Sequence, residues 1–116
     1  MSRQAAERGG RRAETLAAWW LRLTGWTILG RRVRTPVGEV DLVARRGRTV
    51  AFVEVKARAT RHEAGFALDE WRLRRVAAAA EALAPRYARP GDDVRIDAML
   101  VVPRRLPRHL PNVWQG

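Results

Sequence analysis

An α/β domain with a mixed central sheet is what this chain predicts, and three observations carry the prediction. Apolar residues recur at helical spacing in two segments, one near the N-terminus and one in the second half. Between them lie strands with a period of two, two of which read as a hairpin. A last strand follows the second helix, and an intervening helix permits the crossover that a parallel pairing needs. The element order is helix, three strands, helix, strand, in one layered domain over residues 1–116.

The first helix runs from about Gln4 or Gly10 to Thr24, after a few N-terminal residues expected to fray. Ala13, Leu16, Ala17, Trp20 and Leu23 fall at helical spacing as its core face. Gly9-Gly10 weaken its first turns, and Gly25 is placed to close it as a left-handed cap. Glu14 lies near its start, one position off that stripe, and on residue type alone is a solvated helix carboxylate. Trp26 to Val33 is the first strand, with Trp26, Ile28 and Gly30 on one side. Arg31, Arg32 and Arg34 at its end either protect a sheet edge by charge or contact phosphate. Thr35-Pro36-Val37-Gly38 is a turn, proline fixing one angle and glycine free to take positive φ.

The hairpin spans Gly38 to Arg58. Val40, Leu42 and Ala44 alternate with Glu39, Asp41 and Val43 on one arm; Val53 and Val55 alternate with Glu54 and Lys56 on the other. If each apolar set shares one buried face, Val40 lies near Val55, Leu42 near Val53 and Ala44 near Ala51. That register sets Asp41 opposite Glu54 and Glu39 opposite Lys56, and leaves Gly47-Arg48 as a two-residue type II′ turn. Carboxylates opposed at roughly 5 Å between Cβ atoms repel unless a cation or a proton lies between them. Oxygen ligands of this kind suit Mg²⁺ or Mn²⁺. Lys56 points to the same face as Glu54, where it can position water or stabilise charge on a phosphate. Ordinary polar residues on an exposed sheet face, with a Glu39–Lys56 ion pair, give the same pattern.

Arg58, Arg61 and His62 open a loop ending near Phe66, with His62 a solvated residue or phosphate contact rather than a metal ligand. The second helix spans Leu68 to Ala84, with Asp69 as N-cap or first-turn acid. Leu73, Val76, Ala77, Ala80 and Leu83 or Ala84 form its buried stripe, and Pro85 stops it. Trp71 either covers the core, the preferred reading, or stacks on an exposed base. Arg89-Pro90-Gly91-Asp92 is a loop. Val94 to Val102 is the fourth strand, with Asp97 facing away from Val94, Ile96, Ala98 and Leu100 in a structural ion pair or hydrogen bond, a direct metal ligand being the less favoured reading. From about Pro103 a basic, proline-rich tail packs Trp114 back onto the sheet.

The 116 residues are 47% hydrophobic with a net charge of +11, which describes a globular protein with a basic surface rather than a disordered tail. A polyanionic partner follows, nucleic acid ahead of membrane. Arginine supplies all but one of the 23 basic residues, and the exception is Lys56. An ammonium on a flexible stem changes protonation state on burial, as a guanidinium does not. No cysteine is present, so disulfides and thiolate metal sites are excluded, and His62 and His109 lack zinc-ligand spacing. No signal peptide or membrane-length apolar run is visible, which implies a cytoplasmic location. No internal repeat, glycine-rich phosphate loop or nucleophilic serine motif appears, so no small-molecule cofactor is expected.

Five motifs, taken in order, resemble one family. They are the Arg-Arg-Ala-Glu helix start at 11–14, Gly-Glu-Val-Asp-Leu-Val-Ala at 38–44 and Phe-Val-Glu-Val-Lys-Ala-Arg at 52–58. Arg-Ile-Asp at 95–97 and Arg-His-Leu-Pro-Asn-Val-Trp at 108–114 complete the set. The chain resembles the small bacterial UPF0102 (YraN-like) proteins, predicted members of the PD-(D/E)XK nuclease superfamily similar to archaeal Holliday junction resolvases. The resemblance implies a restriction-endonuclease-like fold and an Mg²⁺- or Mn²⁺-dependent endonuclease acting on DNA in preference to RNA, with branched junctions among its substrates and a homodimer as one form of assembly. It further implies Asp41, Glu54 and the Val55 carbonyl as metal ligands, and Glu14 as a first-helix acid completing the site. Lys56 then orients or activates water, while Arg31, Arg32, Arg34, Arg58 and Arg72 hold the nucleic acid. Family members usually carry lysine where Trp71-Arg72-Leu73 stands, and Arg72 is its nearest equivalent. A non-catalytic nucleic-acid-binding module with the same fold is the main alternative, and a protein-interaction adaptor a third.

Overall fold

A computed structural model describes residues 3–58 and 70–115; Arg61, His62 and the expected helix start at Leu68-Asp69 lie outside the described residues. The elements are α1 (Arg3–Leu23), β1 (Thr27–Thr35), β2 (Gly38–Arg46), β3 (Thr49–Ala57), α2 (Glu70–Tyr87), β4 (Asp93–Val101) and β5 (Arg108–Leu110). They form one sheet in the order β1-β2-β3-β4-β5. Only β3 and β4 run parallel, on either side of the α2 crossover; the other pairs are antiparallel. α1 covers one face and α2 the other, so the fold is a mixed sheet between helices. Among the described residues no helix is long and apolar enough to cross a membrane.

The hairpin register is the one that apolar alternation requires: Leu42 pairs with Val53 and Ala44 with Ala51. Gly47 closes it at φ 61°, the sign that the first position of a type II′ turn needs. Both hairpin faces are covered. Leu42, Ala44, Ala51 and Val53 pack toward α1, and Val43, Val50 and Phe52 toward α2. Val40 departs from the expectation that it shares a face with Leu42, because it packs with Val43 toward α2. Side-chain alternation therefore breaks between Val40 and Leu42. On the neighbouring strand the break is matched by Arg32, which lies between the Arg31–Leu42 and Val33–Val40 partners at φ 50°.

α1 extends through Gly9-Gly10 to Arg3, since the residues before them are good helix formers that offset the glycine cost. It ends as predicted at Gly25, φ 96°, where Trp26 N–H donates to the Leu21 carbonyl and Gly25 N–H to that of Arg22, a Schellman closure. Its buried stripe is rotated from the expected one. Ala13, Glu14, Ala17, Ala18 and Leu21 face the sheet, while Leu16 and Leu23 are exposed. Small alanines let the helix approach closely, and burying Leu21 contributes roughly 2 kcal/mol.

Pro85 does not stop α2, which continues to Tyr87 at the cost of one N–H bond, and the Ala88 N–H closes the end onto the Ala84 carbonyl at 2.8 Å. Tyr87 then packs edge-on to Phe52 at 6.3 Å. Gly38 has no positive φ; its small size serves instead, since a Cβ there would lie 2.7 Å from the Arg75 carbonyl oxygen of α2. Thr35 closes the preceding turn, its hydroxyl accepting from Gly38 N–H and donating to the Gly38 carbonyl. The C-terminal tail adds a short fifth strand. Val113 N–H donates to the Ile96 carbonyl beyond it, and Val113 and Trp114 pack against the core on the α2 side.

Candidate active site at the end of the sheet

β3 delivers Glu54 and Lys56 on the side that Phe52 occupies, by simple strand alternation. Both are buried, at 2% and 3% exposure, so they are not the polar residues of a solvated sheet face. Asp41 is brought beside them by the break in β2. Paired residues of the β2–β3 ladder reach Leu42–Val53, and at the next step Asp41 Oδ2 accepts the Val55 N–H at 2.8 Å. The carboxylate thus takes a backbone donor and sits in the seam between the strands. Glu39 does not meet Lys56; it lies 3.6 Å from Arg34, on the surface.

Electrostatics mark this corner. Burial, then the charge of Glu54 and more weakly that of Glu14, push the Asp41 carboxyl up from 3.8 to about 7, against the lowering effect of the Val55 N–H. Burial and the charges of Arg72 and Arg58 lower the Lys56 ammonium, partly offset by Glu54. Glu54 Oε1 has Arg72 Nε at 2.5 Å and Lys56 Nζ at 3.6 Å. Oε1 is therefore a buried oxygen ion-paired to both cations.

Glu14 comes from α1 to the same cleft, 8% exposed. The Arg32 Nε donates to both of its oxygens, at 2.8 and 3.1 Å, and the left-handed turn at Arg32 aims the guanidinium there. Among the described residues no three acidic or histidine side chains converge closely enough to hold a metal by themselves. Two carboxylates and a carbonyl in one corner remain a fitting hard-oxygen set for Mg²⁺ or Mn²⁺, which keep waters and take substrate oxygens. Asp41, beside the buried Glu54 charge, is the carboxyl of this corner whose ionisation is most opposed.

Of the expected nucleic-acid contacts, Arg72 borders both Glu54 and the cleft, and Arg58 lines the cleft. Arg31 bonds the Thr15 hydroxyl at 3.1 Å, and Arg34 is exposed. Trp71 is 63% exposed, contrary to the expected core position, with the Arg75 guanidinium 5.1 Å over its ring. Leu73 takes the core place, and Trp71 instead lines a small depression together with Asp41, Glu54 and Arg72. Asp97 has the structural role expected of it. It is fully buried and bonded by Arg95 Nε at 2.9 Å, His109 Nε2 at 2.6 Å and Asn112 N–H at 2.9 Å.

Not anticipated from sequence were Arg12, Arg104 and Arg105, which line the cleft beside Asp41 and Lys56. A basic pair directly after the fourth strand was the available signal. Glu39 also lines a smaller depression with Asp41, Glu54 and Arg72.

A two-helix, five-strand domain with its acids at one sheet end has the fold of a resolvase. The solved structure of the Holliday junction resolvase Hjc from Archaeoglobus fulgidus superposes with a TM-score of 0.61 at 22% identity, covering 86% of this chain and 73% of that one. The family model described as "Uncharacterised protein family UPF0102" matches residues 13–101, and the chain belongs to that family. UPF0102 proteins of Sphingopyxis alaskensis and Erythrobacter litoralis are 70% and 61% identical to it, each over 99% of both chains.

Proposed function

We propose that this chain is a divalent-metal-dependent endonuclease that hydrolyses phosphodiester bonds in DNA, with branched junctions among its substrates. The observation that carries the reading is the gathering of Asp41 beside the buried Glu54 and Lys56 at one end of the sheet, with burial and the Glu54 charge raising the Asp41 carboxyl to about 7. The Asp41 carboxylate is costly to ionise beside Glu54, and a divalent cation there relieves that cost.

Asp41, Glu54 and the Val55 carbonyl would hold Mg²⁺ or Mn²⁺. When bound, that ion polarises the phosphate and lowers the pKa of its water. Lys56, buried and with its proton affinity lowered, orients the attacking water and stabilises charge developing on the phosphate. Glu14 supports the site from α1. Arg32 and Arg72 each neutralise a site carboxylate and each keeps further donors for the phosphate backbone, with Arg31, Arg34 and Arg58 beyond them. A four-way junction presents paired scissile strands, which a symmetric dimer of this chain would match.

A second reading rests on a specific observation. Arg32 and Arg72 already neutralise Glu14 and Glu54, as in a nucleic-acid-binding module that keeps the fold without the chemistry. Cleavage assays separate the two. Purified protein with Mn²⁺ or Mg²⁺ is expected to cut at least one of duplex, flap, four-way junction, single-stranded DNA or RNA, and Asp41→Asn to cut none. Failure of the wild type on the whole panel, with salt-sensitive binding intact, would establish the module instead.

A further inference from the structure

We propose that the cleft beside the acidic site receives an unpaired nucleotide next to the scissile phosphate. This rests on the nuclease reading and names the substrate class it selects. The cleft holds about 710 Å³, and Asp41, Val55 and Lys56 form part of its lining. Its apolar wall is Ala13 and Leu16 of α1 with Val101, Val102 and Pro103 where β4 ends. Around it stand Arg12, Arg58, Arg72, Arg104 and Arg105.

An apolar wall does nothing for a phosphate, and five arginines do nothing for an apolar ligand. A nucleotide has both parts, a flat base and an anionic backbone. In regular duplex the base faces are covered by stacking, so only an unpaired or extruded nucleotide can present one. Extrusion costs a few kcal/mol, and least where the base is already unpaired. The cleft therefore discriminates ends, flaps and junction centres from continuous duplex.

Two further details fit this occupant. Arg104 adopts φ 64°, a left-handed conformation uncommon for a non-glycine residue, and the Arg105 N–H closes the turn onto the Val102 carbonyl at 3.2 Å. Strained backbone of this kind is concentrated where a loop must present side chains in a fixed way. The two neighbouring arginines it presents are exposed. Leu16 is 46% exposed at the cleft, a position where water contact gains the protein nothing.

The test measures binding by fluorescence anisotropy in EDTA, so that no cleavage intervenes. Three labelled DNAs are compared: a blunt duplex, the duplex with a short single-stranded end, and the same end carrying abasic sugars. The wild type is expected to bind the base-containing end about tenfold more tightly than the abasic one. Leu16→Asn, at an exposed helix position, should bring those two affinities together. Arg104→Ala with Arg105→Ala should weaken binding of both ends and flatten the dependence of log K on log salt. Equal wild-type affinity for base-containing and abasic ends overturns the proposal, as does an undiminished difference in Leu16→Asn. The nuclease reading survives either result if cleavage persists, whereas a wild type that neither binds nor cuts nucleic acid overturns both.

Discussion

The Val55 main-chain N–H donates to Asp41 Oδ2 at 2.8 Å, so the strand that carries Glu54 and Lys56 also fixes the acid they face. A backbone donor has no rotamer freedom. The relative placement of these three residues therefore follows from the β2–β3 register and from the break in β2, not from mobile side-chain contacts.

Lys56→Met keeps the volume and removes the amine. Cleavage is expected to fall about 100-fold or more, within the range for a positioned proton-transfer group. Nucleic-acid affinity should change little, because the proposed mechanism gives the phosphate contacts to the arginines. The melting temperature should stay the same or rise, since the ammonium is buried near Arg72 and Arg58. Single-turnover cleavage and thermal melts check both halves.

Asp97 fastens β5 and the tail to β4 through His109 and Asn112. Burial pushes its carboxyl up, but His109, the Asn112 N–H and Arg95 outweigh this and hold it below the ordinary 3.8. A depressed folded value means the stabilisation is present above the unfolded pKa and is lost as pH falls through the folded one. Asp97→Asn should cost about 3 kcal/mol at pH 7, as when one partner of a buried pair is removed. Urea unfolding should show the gap between wild type and variant narrowing below about pH 4.

Gly38→Ala places a Cβ 2.7 Å from the Arg75 carbonyl oxygen and must push α2 from the sheet. Its expected cost is about 1–3 kcal/mol. Activity should fall as well, because Arg72 lies on the same helix against Glu54. Gly10→Ala has the opposite sign, since nothing lies within 4 Å and the site is helical; it should stabilise by about 0.5–1 kcal/mol. Thermal unfolding of the two variants compares them directly.

The hairpin register was legible because a one-residue slip would have sent Leu42 and Ala44 to the opposite face. The break at Asp41 was not, since Val40, Leu42 and Ala44 preserve a perfect period in sequence while the backbone turns between the first two. In α1 large apolar residues misled: Leu16 and Leu23 outweigh Ala17, Ala18 and Ala13 on any hydrophobicity count, yet the alanines allow the close approach. That rotation puts Glu14 on the buried stripe, where an acid seven residues before Leu21 was the visible clue. The short β5 was hidden because three residues between prolines carry no period, and its partner contact, His109 to Asp97, is long-range.

Manganese titration by calorimetry tests the central claim most directly, on wild type, Asp41→Asn and Glu54→Gln, at pH 6 and pH 8. It is run with and without an oligonucleotide whose linkages resist hydrolysis. Because Asp41 holds its proton to about 7, the cation must displace it at the lower pH. The account predicts binding to the wild type that is tighter at pH 8, releases a proton at pH 6 and disappears in both variants. Wild-type binding that survives both substitutions, or no binding at either pH even with the oligonucleotide present, would contradict it.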